Sequence, residues 1–269
     1  MRVSFTKMHG LGNDFVVIDR RTGELPAMTP TVAAALANRT TGIGCDQLIV
    51  LETSEIANLR MRIFNADGGE VEACGNASRA VALLHGAAAD VETGGGVIAL
   101  EPVEGGARVD MGKPRFDWDK IPLAYAMDTL AMPVGWGPLE NPVAVNVGNP
   151  HVVFFVEDCD ALPLEQLGPE IEHDPLFPQR INVNAATVVD RSTIRLRVWE
   201  RGVGVTRACG TGACATAIAA MKRGLVDRKV TVILPGGALE IEWDAEDRML
   251  MSGPAEESFR GSFEWSDFG

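Results

Sequence analysis

Short runs of alternating apolar and polar residues, separated by glycine-bearing turns, make up most of this chain. Alternation with a period of two marks half-buried strands. Residues 3–17 read as strand, turn and strand around Gly10-Leu11-Gly12-Asn13. Runs at 47–51 and 60–64 read as further strands, and 97–111 as a hairpin around Gly105-Gly106. Two segments break the period. Thr29-Pro30, a capping residue followed by proline at the first helical position, opens a helix to about residue 39. Residues 75–89, rich in Ala and Leu, read as a second helix.

The same plan recurs further on. Strands are predicted at 143–147 and 152–156 around Gly148-Asn149-Pro150, and then at 184–189 and 194–199. An Ala-rich helix spans 210–223 and is closed by Gly224, followed by a hairpin at 230–243 and a strand at 248–251. Each half is many short strands around one largely apolar helix, and so few charges imply an enclosed helix. Residues 117–137, with Pro and Trp and weak periodicity, read as the crossing between halves.

Polar stations repeat with the pattern. Cys74-Gly75-Asn76 and Cys209-Gly210-Thr211 lie 135 residues apart. Gln47 and Asn182 share that offset, as do Asn65 and Glu200, while Gly12-Asn13 and Gly148-Asn149 are 136 apart. Four stations in register point to duplication. A duplicated chain commonly places its site between the halves.

Composition narrows the function. The 269 residues suffice for two modest domains, and the net charge of −13 argues against non-specific binding to nucleic acid or anionic membrane. No apolar run reaches spanning length and no signal-peptide pattern opens the chain, so a cytoplasmic location is expected. Five cysteines, an odd number without framework spacing, fit a reducing compartment. No histidine or cysteine spacing matches a metal site, and Gly10-Leu11-Gly12 lacks the rest of a dinucleotide fingerprint.

In both halves Cys-Gly opens the central helix. A thiol there meets unpaired amides and the helix dipole, which favour its thiolate; an ordinary thiol pKa of about 8.5 can fall to about 3.5–7.5 in such places. The same amides can hold a carboxylate. Arg201 can grip a second carboxylate through two parallel hydrogen bonds, and Glu200 and the asparagines can meet an ammonium and carboxylate pair. His151 can tune a thiol or an ammonium. Cys214 and Cys45 read as packing residues.

Seven segments resemble the diaminopimelate epimerase family: 8–15 (Met-His-Gly-Leu-Gly-Asn-Asp-Phe), 42–47 (Gly-Ile-Gly-Cys-Asp-Gln), 64–68, 74–76, 148–151, 200–202 and 208–213. The resemblance runs over nearly the whole chain. It implies an α/β (α+β) fold of two pseudo-symmetric domains, each a barrel-like, mostly antiparallel sheet around a central helix, with the site in the cleft between them. The N-terminal half is expected at 1–118 and the C-terminal half at 119–257, with a strand near 258–269 returning to the first. The implied activity is inversion of one α-carbon of LL-2,6-diaminoheptanedioate to the meso isomer, without a cofactor or metal, in lysine and peptidoglycan precursor synthesis. By motif, Cys74 and Cys209 correspond to the acid/base pair. Asn13, Gln47, Asn65, Gly75, Asn76, Asn149, Asn182, Glu200, Arg201, Gly210 and Thr211 correspond to substrate contacts, with His151 auxiliary. The expected partner is a small amino-acid substrate, with no nucleic acid or membrane, and a homodimer is left open. Ala77, Ala80 and Val205 depart from the residues the family often carries there, Gly, Cys and Glu.

Two other readings stand beside this one. The first is a racemase or epimerase for another amino acid, such as proline, hydroxyproline or histidine, which has no use for the second carboxylate grip of Arg201. The second is a non-catalytic amino-acid-binding module, which needs no matched thiols.

Overall fold

The computed structural model describes residues 1–21, 23, 25–72 and 74–269. The chain divides into two compact units: residues 1–109 with 253–269, and residues 110–252. The sequence had suggested the divisions at 118/119 and 257/258.

The first unit opens with β1 (Arg2–Gly10) and β2 (Asn13–Asp19), an antiparallel pair whose turn places Leu11 and Gly12 at positive φ. Helix α1 (Pro30–Ala37) follows, capped by Thr29, whose side chain accepts from the Val32 amide at 3.3 Å. β3 (Gln47–Glu52) runs parallel to β2, β4 (Leu59–Asn65) antiparallel to β3, and β5 (Glu70–Val71) antiparallel to β4. Helix α2 (Gly75–His85) leads to β6 (Ala89–Thr93), which lies parallel to β4, and β7 (Gly96–Val103) and β8 (Gly106–Asp110) complete an antiparallel run.

The second unit repeats this order. A short hairpin, β9 (Gly135–Trp136) with β10 (Leu139–Glu140), precedes β11 (Val143–Asn146) and β12 (Pro150–Phe155). Helix α3 (Leu164–Glu172) leads to β13 (Asn182–Asp190), parallel to β12, then β14 (Thr193–Glu200) and β15 (Gly204–Thr206). Helix α4 (Gly210–Lys222) is followed by β16 (Lys229–Leu234), parallel to β14, and by β17 (Gly237–Trp243) and β18 (Met249–Gly253). The last strand, β19 (Glu256–Glu264), belongs to the first unit and pairs antiparallel with β1.

The duplication extends to register. Ile63 faces Val71 in the first unit and Val198 faces Thr206 in the second, both pairs displaced by the same 135 residues. Across the central helix the second unit gains six residues: Leu59 pairs with Val91, and Ile194 with Val232. The helices account for part of this, 11 residues in α2 and 13 in α4.

α4 packs against β11, β12, β13, β14, β16 and β17, so strands surround it. Its Ala213, Ala215, Ala217, Ala219 and Ala220 are buried, and such small side chains let the strands close in. α1 and α3 lie outside the strands they pack on, β3 and β4 for α1, and β13, β14 and β15 for α3. Leu36 of α1 is buried with Val16, Leu48 and Phe64, and Ile171 of α3 with Phe154, Phe177 and Val183.

Several predicted elements change. The second helix stops at His85, because Gly86 adopts a left-handed φ of 76°, and of its expected tail 86–88 are irregular while Ala89 starts β6. Residues 117–137, read as a crossing, supply Ile121, Leu123, Met132 and Trp136 to the buried cluster of the second unit. α3 was not foreseen, since it begins at a proline without a side-chain cap and contains Pro169. No helix among the described residues is long and apolar enough to cross a membrane.

Candidate active site

In the first unit Cys74 is the N-cap of α2, in extended backbone (φ −150°, ψ 111°), and Gly75 is the first helical residue. Its sulfur accepts from the Ala77 amide at 3.5 Å and donates to Asn13 Oδ1 at 3.9 Å. Asn13 sits where β1 turns into β2, which brings it to the helix end. Its Oδ1 also accepts from Asn76 Nδ2 at 3.3 Å, while its Nδ2 donates to Asp46 Oδ2 at 3.0 Å. Arg79, fully buried, donates Nη2 to Asn76 Oδ1 at 2.9 Å. Both amides are thus held in one orientation, by a guanidinium at one end and a carboxylate at the other.

Asp46 is fixed in turn by Arg39 Nη2 at 2.8 Å, and Asp14 accepts from Arg39 and Lys7. Burial opposes the Asp14 carboxylate, yet hydrogen bonds from Arg39 and Lys7 hold it well below the usual carboxylate range. Gln47 and Asn65 face each other across β3 and β4, joined by Gln47 Nε2 donating to Asn65 Oδ1 at 3.0 Å. Gln47 Oε1 is buried and has no hydrogen-bond partner among the described residues.

In the second unit Cys209 caps α4 in the same way (φ −131°, ψ 106°), with Gly210 as the first helical residue. Its sulfur accepts from the Gly212 amide at 3.3 Å and lies 3.5 Å from Thr211 Oγ1. A Cβ on Gly212 would press on Val198 Cγ2 at 3.0 Å and Cys209 Sγ at 3.2 Å, whereas the first cap carries Ala77, fully buried, at that place. Glu200 ends β14 and accepts from Thr206 Oγ1 at 2.5 Å. Burial raises the Glu200 carboxyl above its ordinary value, against the bond from Thr206. Burial also pushes the Cys209 thiol well up, and Glu200 adds to this. The thiolate that the helix end alone would favour is therefore reversed at Cys209: the loss of water outweighs the amide donors.

Asn182 Oδ1 accepts from the Arg201 amide at 2.9 Å and its Nδ2 donates to the Pro150 carbonyl at 2.8 Å. The exposed Arg201 guanidinium rests on the Gln179 carbonyl at 3.0 Å through Nη1. His151 is fully buried, with Nε2 2.9 Å from Asn149 Oδ1 and Nδ1 3.4 Å from Asn184 Oδ1. Burial drives its pKa down to about 3, so the ring stays neutral at physiological pH. Asn184 Nδ2 donates to the Gly212 carbonyl at 3.2 Å and to Thr216 Oγ1 at 3.1 Å, which ties His151 to the first turns of α4.

The structure therefore gathers Asn13, Cys74 and Asn76 in one cluster and Gln47 with Asn65 in a second. It joins Cys209 to Thr211 and Glu200, Asn182 to Arg201, and Asn149 to His151. Asp46, Arg79, Asn184 and Thr216 were missed as support for these groups. A signal existed for two of them: Arg79 is the only charged residue in 75–84, and Asn184 is an amide between the apolar Val183 and Ala185.

Each unit presents a cysteine at the N-terminus of its central helix, in the same register, beside asparagines in the first unit and beside Thr211 and Glu200 in the second. This is a duplicated α/β architecture, with a strand-packed central helix in each unit. The fold is shared with a Bacillus anthracis phenazine biosynthesis protein of the PhzF family, 16% identical with a TM-score of 0.70, over 98% of this chain and 99% of that one. It is shared too with an Agrobacterium vitis hydroxyproline epimerase solved with bound trans-4-hydroxy-L-proline, 15% identical with a TM-score of 0.67, over 97% and 92% of the two chains. The family profile described as Diaminopimelate epimerase matches residues 5–117 and 143–257. A diaminopimelate epimerase of Erythrobacter litoralis (strain HTCC2594) is 72% identical over 268 residues and 100% of both chains. The chain belongs to the diaminopimelate epimerase family.

Proposed function

We propose that the chain is a cofactor-independent epimerase that interconverts LL-2,6-diaminoheptanedioate and its meso isomer, with Cys74 and Cys209 as the acid/base pair. The observation that carries this reading is the matched pair of cysteine N-caps in a chain of this family. One sulfur, as thiolate, takes the α-proton; the C–H electron pair spreads into the α-carboxylate; the other sulfur, as thiol, returns a proton to the opposite face. The amides behind both caps stabilise the negative charge as it grows on the carboxylate. Burial favours the thiol at Cys209, so Cys209 serves as proton donor in one direction and regains the proton in the other. Gln47 Oε1, buried and unpartnered, supplies an acceptor for a substrate ammonium. Asn65, Asn149, Asn182, Glu200 and Arg201 are assigned to substrate contact, Arg201 to the carboxylate at the non-reacting end. His151 is assigned as a neutral hydrogen-bond partner. The reaction is placed in the cytoplasm, in lysine and peptidoglycan precursor synthesis.

The test is incubation with LL-diaminopimelate in D2O without added cofactor. Deuterium should enter the α-position as the meso isomer appears. Absence of both exchange and epimerisation in folded protein refutes the reading.

A further inference from the structure

We propose that Glu172, the last residue of α3, is a positioning residue that braces the loop carrying Glu200 and Arg201. Glu172 is 1% exposed. One carboxylate oxygen, Oε2, accepts from Trp199 Nε1 at 2.7 Å, and the other, Oε1, accepts from the Gly202 amide at 3.0 Å. Trp199 precedes the Glu200–Arg201 pair and Gly202 follows it, so a single side chain holds both flanks. Arg180 Nη1 lies 3.7 Å from Oε1 on the outer side.

The loop between β14 and β15 has three residues, and every backbone N–H in it is engaged. The Arg201 amide donates to Asn182 Oδ1 at 2.9 Å, the Gly202 amide to Glu172 and the Val203 amide to the Glu200 carbonyl at 3.0 Å. Gly202 takes a φ of 75°, which favours glycine and aims its N–H away from the strand pair. α3 reaches Trp199 because Gly168 faces the ring: a Cβ there would lie 2.4 Å from Cδ2. The counterpart helix α1, Pro-Thr-Val-Ala-Ala-Ala-Leu-Ala, carries no charged side chain, so the first unit has no such brace from its helix.

The chemistry demands a carboxylate. An indole N–H and a backbone N–H only donate, so both oxygens must accept. An amide offers one acceptor, and its NH2 would confront whichever donor remains. The brace rests on the reading of Arg201 as a substrate contact, since it then sets the loop before substrate arrives and acts on KM more than on kcat.

The experiment compares wild type, Glu172→Gln, Glu172→Asp and the double variant Glu172→Gln/Trp199→Phe. Two readouts are taken: hydrogen exchange of residues 200–204 in the substrate-free protein, and kcat and KM for diaminopimelate. Glu172→Gln should speed loop exchange and raise KM by about tenfold or more, the scale of one lost charge-assisted hydrogen bond, with kcat changed much less. Trp199→Phe removes the donor facing the amide NH2, so the double variant should recover part of both losses. Glu172→Asp, which keeps both acceptors on a shorter arm, should fall between and serves if the Gln variant does not fold. Unchanged exchange and KM in Glu172→Gln, or a loss confined to kcat, overturns the proposal. Exchange is read without substrate, so a wild type inactive on diaminopimelate would refute the functional reading while the brace is still tested by exchange.

Discussion

Asn184→Ala should destabilise the second unit by about 3 kcal/mol. Asn184 is fully buried and meets three groups: His151 Nδ1, the Gly212 carbonyl and Thr216 Oγ1. Its Nδ2 faces a carbonyl, which only accepts, so its Oδ1 faces the imidazole and requires the proton on Nδ1; Nε2 of the neutral ring is then an acceptor and pairs with Asn149 through that residue's amide NH2. Truncation leaves the imidazole N–H and the Thr216 hydroxyl in a dry interior. Each orphaned buried group costs about 1–3 kcal/mol, so the two together cost about 2–6 kcal/mol, of which some relaxation recovers a part. With a urea slope of about 1–3 kcal/mol per molar, the midpoint should fall by about 1–3 M. Tryptophan fluorescence suits the assay, because Trp118, Trp136, Trp199 and Trp243 lie in the second unit and only Trp265 in the first. Asn184→Leu separates a cavity from lost hydrogen bonds: leucine fills the space but offers no polar atom, so it should be about as harmful. A midpoint within a few tenths of a molar of wild type in both variants would refute the reasoning, and full recovery by leucine would show that volume alone mattered.

Acid should weaken the fold through His151. Its folded pKa of about 3 lies below the ordinary 6.5, so the stability tied to the neutral ring is complete above pH 6.5 and is lost as pH falls towards 3, at up to about 1.4 kcal/mol per unit. His151→Phe should flatten that part of the urea-midpoint profile, and an unchanged slope would contradict a buried neutral histidine. Cys74→Ala and Cys209→Ala should each abolish epimerisation with the far-ultraviolet spectrum intact; near wild-type turnover by either would end the two-base scheme. Arg201→Lys should cut kcat/KM for diaminopimelate strongly, because an ammonium cannot reproduce the guanidinium fork. Wild type should turn over lysine very poorly, and comparable rates on lysine would remove Arg201 from the distal carboxylate.

The repeat was readable because its signals are local. Cysteine-glycine pairs recur at 135 residues and glycine-bearing turns at 136, and the register Ile63–Val71 against Val198–Thr206 preserves the 135 spacing in three dimensions. The supports were hidden because they come from distant segments. Nothing near Asp46 announces that its carboxylate fixes Asn13, 33 residues away, or that Glu172 fixes Gly202, 30 away. α3 lacked both a capping side chain and freedom from proline, so packing on β13, β14 and β15 had to decide its helical state. The thiolate expectation failed at Cys209 for a related reason: a helix end is visible in sequence, but the burial around it is not.

The strand that closes the first sheet edge, β19, has a consequence for synthesis. It pairs Glu264 with Arg2 and Phe263 with Val3, so the earliest residues of the chain await some of the last. The whole of residues 110–252 emerges from the ribosome before that partner exists. The second half can therefore mature first, while the half that holds Cys74 stays unfinished until β19 is made. Since β19 also touches α2, the helix that Cys74 caps, the setting of that sulfur depends on a strand made long after it.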